Sequence, residues 1–321
     1  MTENVRVVSA VALGSPHLEQ FSDCDLTVVD FAMAEPDELA EALRDAEGLL
    51  INSHVALDAP TLDLAPRLRA ISTVSVGFDH IDLVVAGGRA ISVTTTPVLS
   101  DAVADLTLAL ITMTLRRLRE AVDDIGHGIW STGRLGTDVR GRNLLLVGFG
   151  RIGREVAARA LAAKMIVSVF DVRADLPSMA GVERVASLED GLARADIVSL
   201  HVDLNPSTRH LLDGAALALM KPTAIVINTA RGGVVDQTAL TKALIERRIA
   251  GAGLDVLETE PPDPIDPILH MPNVVVLPHI GSATTETRRA MLDCAVDNRV
   301  ACLRGDACEH VLPPAASPAV G

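Results

Sequence analysis

The stretch LLLVGFGRIG, residues 144–153, limits what this chain can fold into more than any other ten residues in it. An apolar run ends at Gly148, further glycines follow at Gly150 and Gly153, and REVAARALAA continues with a helical pattern. Strand, glycine turn and helix in that order form a dinucleotide-binding βα unit, whereas the same glycines outside that context would say little. Gly148 permits the tight turn, Gly150 lets the backbone approach a pyrophosphate, and Gly153 lets the helix close on the strand. The helix N-terminus offers amide donors and positive potential to the phosphates. The competing reading is a glycine-rich turn that only packs. The next strand ends at Asp171, where a carboxylate can accept both ribose hydroxyls of NAD and repel the 2′-phosphate of NADP. Arg173 argues the other way, since a nearby cation could accommodate that phosphate. NAD is expected ahead of NADP.

A second feature is rhythm. VRVVSAVA (5–12), LTVVDF (26–31), GLLIN (48–52), LRAISTV (68–74) and ISVTT (91–95) read as strands, with a helix over EPDELAEALRDA (35–46). Leu99-Ser100-Asp101 offers a helix start, and AVADLTLALITMTLRRLREAVDDI reads as one helix of about six turns. From 143 a second strand series follows: NLLLVG, MIVSVFD (165–171), DIVSLHV (196–202), TAIVINTA (223–230), IAGAGLDV (249–256) and NVVVLPH (273–279). ETRRAMLDCAVDNRVACLRG (286–305) is the last helix. Long helices flank the second series, so the expected architecture is α/β, a Rossmann doubly wound parallel sheet inserted into a second, flavodoxin-like α/β domain. The expected division is 1–98, 99–281 and 282–321, the outer segments forming the substrate domain and the middle one the cofactor domain with its connecting helix. The tail ACEHVLPPAASPAVG is expected to fray after a last contact.

Three strand ends in the second series carry polar groups. INTARGG places Arg231 before two glycines, GLDVLETEPP supplies Asp255 and Glu260, and VVVLPHIG ends on His279. Ligands of doubly wound sheets sit beyond the carboxyl ends of the strands, so these residues can face one crevice. A nicotinamide enzyme needs a proton donor beside its hydride donor, and imidazolium serves near neutral pH. Glu260 is the expected partner that fixes the tautomer of His279 and raises its pKa. Arg231 can clamp a substrate carboxylate or carbonyl in a fork geometry. Each has a plainer reading: Arg231 as a surface ion pair, Glu260 as a solvated loop acid, Asp255 as a turn cap. His201 reads as a packed structural histidine, Trp130 as an anchor for a helix end, and His54 and His80 as loop residues. Ser75-Val76-Gly77, after a strand in the first series, can aim backbone amides at a carboxylate.

Composition narrows the alternatives. Of the 321 residues 49% are hydrophobic but only five are Phe, one Trp and none Tyr, so the core must be built from aliphatic side chains. A net charge of −14 disfavours a polyanionic partner over most of the surface, and no nucleic acid is expected. The opening MTENVRVVSA has no signal core, and AVADLTLALITMTL (102–115) is short for a membrane span and holds Asp105. The four cysteines, Cys24, Cys294, Cys302 and Cys308, form no regular framework and read as reduced thiols rather than a metal cluster, in a cytoplasmic protein.

Taken together, SVGFDHID, VADLTLALI, LLLVGFGRIG, LHVDLNPSTRHLL, INTARGGVVDQTAL, GAGLDVLETEPP and PHIGSATTETRRAM resemble the D-isomer-specific 2-hydroxyacid dehydrogenases over essentially the whole chain. The resemblance implies a discontinuous substrate domain, a Rossmann cofactor domain and a homodimer. It implies Arg231, Glu260 and His279 as catalytic residues and Val76 and Gly77 as the loop that holds the substrate carboxylate. Gly148, Gly150, Arg151, Ile152, Gly153, Asp171, Thr208, Thr229 and Asp255 match positions that contact the cofactor. SVGFDHID and PHIGSATTETRRAM look most like glyoxylate/hydroxypyruvate reductases. Asn52 stands where phosphoglycerate members carry arginine, which argues against a phosphorylated substrate, and Glu260 stands where formate dehydrogenases carry glutamine. The expected activity is reversible NADH-dependent reduction of a small 2-keto acid to the D-2-hydroxy acid. The same fold also resembles NAD-sensing corepressors, for which binding rather than turnover matters.

Overall fold

A computed structural model describes residues 5–22, 24–98, 100–131, 133–308 and 310–313. In chain order the first elements are β1 (Val5–Ser9), α1 (Ser15–Glu19), β2 (Cys24–Val28), α2 (Pro36–Arg44), β3 (Gly48–Asn52), α3 (Ala59–Asp63), β4 (Ala70–Val74), α4 (Leu83–Gly88) and β5 (Ser92–Thr94). Then come α5 (Ser100–Leu115), α6 (Leu118–Gly126), β6 (Asn143–Val147), α7 (Arg151–Ala162), β7 (Ile166–Phe170), β8 (Val182–Arg184), α8 (Leu188–Arg194) and β9 (Ile197–Leu200). α9 (Gly214–Leu219), β10 (Ile225–Asn228), a 3₁₀ turn at Gly232–Val234, α10 (Gln237–Ile245), β11 (Gly251–Leu254), α11 (Pro267–His270), β12 (Val274–Val276) and α12 (Thr285–Arg304) complete it. The chain divides into two compact units, Met1–Leu99 with Thr284–Gly321, and Ser100–Ala283.

The first unit holds a parallel sheet in the order β2-β1-β3-β4-β5, the flavodoxin-like order. One core cluster includes Leu43 of α2, Leu62 of α3 and Ala86 of α4 with Leu49, Ile51 and Ile71 of the strands. α12 packs on β3, β4 and β5, where Ser72 Oγ donates to the Ala295 carbonyl at 2.7 Å. Arg299 of that helix is buried, its guanidinium 3.8 Å from the Phe21 ring centroid.

The second unit holds a parallel sheet in the order β12-β11-β10-β9-β6-β7-β8. Counting from β6, this is the doubly wound order with one strand added beyond the sixth. Alternation along the strands supplies both faces: Leu145, Val147, Val198 and Val226 meet α8, α9 and α10, while Leu144, Leu146, Ile197 and Ile225 meet α5 and α7.

Three expectations need correction. The single helix expected through residue 125 breaks at Arg117, which sits at φ 53 between α5 and α6. The backbone arriving from Gly136 explains the break: Thr137 N donates to the Leu115 carbonyl at 2.9 Å, and a Cβ on Gly136 would lie 2.7 Å from Arg116 Cα. β8 was not expected, because a three-residue edge strand of mostly exposed side chains has no apolar run to show itself. Trp130 anchors nothing, being 87% exposed. The expected fraying of residues 314–321 falls outside the described residues. Among the described residues no helix is long and apolar enough to cross a membrane, and no group of His, Cys, Asp or Glu could hold a metal ion.

Candidate functional site

The glycine turn joins β6 to α7. Gly148 has φ +100, and a Cβ there would lie 2.4 Å from the His201 carbonyl oxygen. A Cβ on Gly153 would lie 2.3 Å from the Gly148 carbonyl oxygen, so those two positions are fixed by the protein's own packing. Gly150 differs: its Cβ would meet no protein atom within 4 Å. The fold itself makes no demand for glycine there, so the open space at the start of α7 is what a pyrophosphate would fill. That fits a dinucleotide seated on the helix N-terminus. Arg151 and Ile152 open the helix, and Ile152 packs against the core on the α5 and α7 side.

Asp171 follows β7, beside the turn. Its carboxylate accepts from Phe149 N at 2.8 Å and from Arg173 N at 2.9 Å, and pairs with the Arg173 guanidinium at 2.9 Å. Burial pushes this carboxyl up, but the Arg173 side chain and the two amides overcome burial and hold it at about 2. Asp171 is thus ionised across the neutral range, with Arg173 beside it at the strand end.

Arg231, Glu260 and His279 come together from three strand ends. Gly232 explains how: a Cβ there would lie 1.9 Å from the Leu257 carbonyl oxygen, so only a glycine lets the Arg231 loop press against the loop that carries Glu260. Arg231 Nη1 donates to the Ala230 carbonyl at 2.9 Å, and Asn228 Nδ2 donates to the Arg231 carbonyl at 2.9 Å. Glu260 Oε1 accepts from Leu257 N at 2.9 Å, and Oε2 accepts from His279 Nδ1 at 2.8 Å. Burial raises the Glu260 carboxyl, yet His279, the Leu257 amide and the charge of Arg231 together bring it below the usual carboxylate range. An ionised Glu260 can only accept, so Nδ1 of His279 carries the hydrogen and Nε2 is the ring atom left to exchange a proton.

His279 has φ 54, a left-handed conformation unusual for a residue with a Cβ. Asp255 holds it there. The Asp255 carbonyl accepts from His279 N, and its carboxylate accepts from Ile280 N and Gly281 N, all at 2.8 Å. The side chain is buried, which raises its pKa despite those two donors. Its hydrogen bonds build the turn that presents the imidazole.

The remaining expected residues lie as follows. Thr229 is buried, its hydroxyl 2.9 Å from that of Thr107 on α5. Thr208 Oγ1 accepts from Asn205 N at 2.9 Å and donates to the Asp203 carbonyl at 2.5 Å, knitting the 203–208 turn. Val76 and Gly77 belong to the first unit. Their loop is braced by Ser75, whose hydroxyl donates to the Gly77 carbonyl at 2.7 Å and whose carbonyl accepts from Thr96 N at 2.9 Å. His80 Nε2 lies 3.0 Å from Thr73 Oγ1 within the same brace. His201 is partly buried, its Nε2 2.8 Å from Ser199 Oγ, and desolvation of the ring drives its pKa down to about 3. Sequence reasoning missed the group beside Glu260: His210 Nε2 lies 2.6 Å from Glu258 Oε1, and Gln237 Oε1 accepts from Glu258 N at 2.9 Å. Only the glutamate's place two residues before Glu260 could have hinted at it.

The chain is 42% identical over 311 residues to the glyoxylate reductase of Thermofilum pendens, covering 94% of this chain and 90% of that one. A glyoxylate reductase structure from Paecilomyes thermophila superposes with a TM-score of 0.89 at 29% identity, covering 97% and 99% of the two chains. The NADPH-dependent glyoxylate/hydroxypyruvate reductase of Sinorhizobium meliloti, in complex with NADP and malonate, gives 0.85 at 30% identity, with 99% and 100% covered. Residues 108–281 match the family described as D-isomer specific 2-hydroxyacid dehydrogenase, NAD binding domain. With a glycine cradle, an acid at the following strand end and a histidine–glutamate pair across the sheet, this chain belongs to the D-isomer-specific 2-hydroxyacid dehydrogenases.

Proposed function

We propose that the protein reduces a small 2-keto acid, glyoxylate or hydroxypyruvate first, to the D-2-hydroxy acid, reversibly. The observation that carries this reading is the 2.8 Å pair between His279 Nδ1 and Glu260 Oε2, with the charge of Arg231 acting on the same carboxylate. The Gly148–Gly153 turn would hold a nicotinamide cofactor, which would supply hydride for the keto carbon. His279 gives the proton on Nε2 to the keto oxygen, and Glu260 stabilises the imidazolium and fixes its tautomer. Arg231 holds the substrate's carboxylate or carbonyl in its planar fork. The first unit is the substrate domain, and its Ser75-braced loop offers the amides of Val76 and Gly77 to a carboxylate.

The cofactor is NADH ahead of NADPH, since the Asp171 carboxylate repels a 2′-phosphate. Arg173 keeps some capacity for NADPH, the cofactor of the Sinorhizobium relative. The assembly is a homodimer: Val122 and Ile125 of α6, with Ile129, Trp130 and Leu135 beyond it, are all more than half exposed, an apolar surface suited to a second copy.

A panel of 2-keto acids assayed with NADH and NADPH tests the reading. The expected result is fastest turnover of glyoxylate or hydroxypyruvate with NADH. Tight cofactor binding without turnover of any keto acid would remove the enzymatic reading and leave a nucleotide-sensing one.

A further inference from the structure

All four cysteines lie in the first unit, and two of them, Cys294 and Cys308, meet one side chain, that of Asn298, which the proposed reaction does not use. Positions 294, 298 and 302 recur every fourth residue on α12 and so share a face. Asn298 Nδ2 donates to Cys294 Sγ at 3.6 Å. The helix then ends at Gly305, whose φ of 77 reverses the chain, and Asp306 N donates back to the Ala301 carbonyl at 2.9 Å. That reversal returns Cys308 to the same face, where its thiol lies 3.5 Å from Asn298 Oδ1 and 3.8 Å from the Asn298 carbonyl. Cys308 is near enough to raise the Cys302 thiol's pKa, and neither residue is fully buried.

Asn298 also reaches the loop expected to hold a substrate carboxylate. Its Nδ2 donates to the Thr95 carbonyl at 3.0 Å, and Thr95 N donates to the His310 carbonyl at 3.2 Å, just past Cys308. The next residue, Thr96, donates from both its amide, at 2.9 Å, and its hydroxyl, at 3.2 Å, to the Ser75 carbonyl. Ser75 in turn holds Gly77. Each step from thiol to loop is a contact inside one unit.

We propose that Cys302 and Cys308 form a thiol-modification site, a dithiol that closes to a disulfide under a disulfide oxidant and loosens the Val76–Gly77 loop through Asn298. With oxidised glutathione, a Cys308 thiolate attacks one glutathione sulfur, breaking the glutathione S–S bond and releasing one glutathione thiol. Cys302 then displaces the second glutathione, forming the Cys302–Cys308 bond. Two electrons pass from the protein to the glutathione disulfide, and the two thiol protons leave with the two glutathione products. Burial and the neighbouring sulfur push the Cys302 thiol up to about 12 in the reduced pair. The closed disulfide takes the Cys308 thiol from Asn298, and the hold of Asn298 on Thr95 weakens with it.

The test uses the full chain, reduced with dithiothreitol and then equilibrated with oxidised glutathione. Intact mass should fall by about 2 Da without a glutathione adduct, and peptide mapping should link Cys302 to Cys308. Hydrogen exchange of residues 75–77 should quicken. KM for glyoxylate should rise about fivefold, with cofactor affinity unchanged and full reversal by dithiothreitol. Cys302→Ser and Cys308→Ser should each abolish the response, and Cys24→Ser should not. A glutathione adduct or another pairing in place of the 302–308 link would overturn the site. A 302–308 link with unaltered exchange at 75–77 would overturn the coupling. The KM effect rests on the keto-acid reading; if the reduced enzyme turned over no keto acid, that reading would fail while mass and exchange still decided this one.

Discussion

The glycine turn at 148–153 and the loops bearing Arg231, Glu260 and His279 lie in the same unit, yet they are built in opposite ways. The turn is a backbone device. Its two constrained glycines are fixed by carbonyl oxygens of Gly148 and His201, and the open space at Gly150 is left for a ligand. The second region is a side-chain device assembled across three strand ends. It depends on Gly232 lying against Leu257, on Glu260 meeting His279, and on Asp255 holding the 279–281 turn. A backbone device tolerates change in every side chain but its glycines. A side-chain device fails when any one of its loops shifts.

The sharpest way to break that comparison is His279→Ala. Turnover of keto acids should fall by roughly 10²- to 10⁴-fold, while the dissociation constant of the reduced cofactor, followed by fluorescence titration, stays the same. Parallel losses of turnover and cofactor affinity would show that the two regions are not separable.

The glycines come next. Gly148→Ala places a methyl against the His201 carbonyl in a left-handed conformation and should destabilise the cofactor-free protein by about 1–3 kcal/mol. Gly150→Ala should leave its melting temperature unchanged and weaken cofactor binding about tenfold, since the methyl enters only the open cradle. Calorimetry with and without cofactor separates the two, and equal destabilisation by both variants would refute distinct roles for the two glycines.

Asp255→Asn probes the other side. The amide can still accept from one of the two backbone donors but faces the second with an N–H group, leaving a buried donor unsatisfied at about 1–3 kcal/mol. Lower stability together with slower turnover is expected, whereas unchanged turnover would detach the 279 turn from the chemistry.

The smallest effect concerns Asp171. Its carboxyl is held at about 2 in the folded chain, against about 4 in an unfolded one. The stabilisation is therefore complete above pH 4, by about that margin, and drains away as pH falls toward 2. The stability difference between wild type and Asp171→Asn should be constant at neutral pH and vanish over that acid window. The same variant should raise the ratio of NADPH to NADH efficiency by a few-fold, to about tenfold.

Much of this was legible in the sequence wherever a feature is local. The strand–glycine–helix unit needs only neighbouring residues, and GLLIN appears as β3 with the bounds its apolar run suggests. Six of the seven strands of the second sheet lie where the apolar runs of repeated βα units place them. The break at Arg117 was not legible, because its cause is a backbone segment some twenty residues later that takes the Leu115 carbonyl. β8 was missed because its side chains carry no apolar pattern. The hydrogen bonds of Asp255 to the 280 and 281 amides were not legible either, because an acid at a strand end can face a ligand or cap a turn.

The sequence by itself determined the family, the parallel α/β architecture and the residue types able to move a proton and hold an anion. Those depend on periodicity and on motifs a few residues long. Tertiary structure alone decided that His279 meets Glu260, that Asp171 is paired with Arg173, and that the Cys294 and Cys308 thiols meet at Asn298. Such meetings depend on where distant loops land, and the free energy of folding sets that position through the whole core rather than through any one stretch of chain.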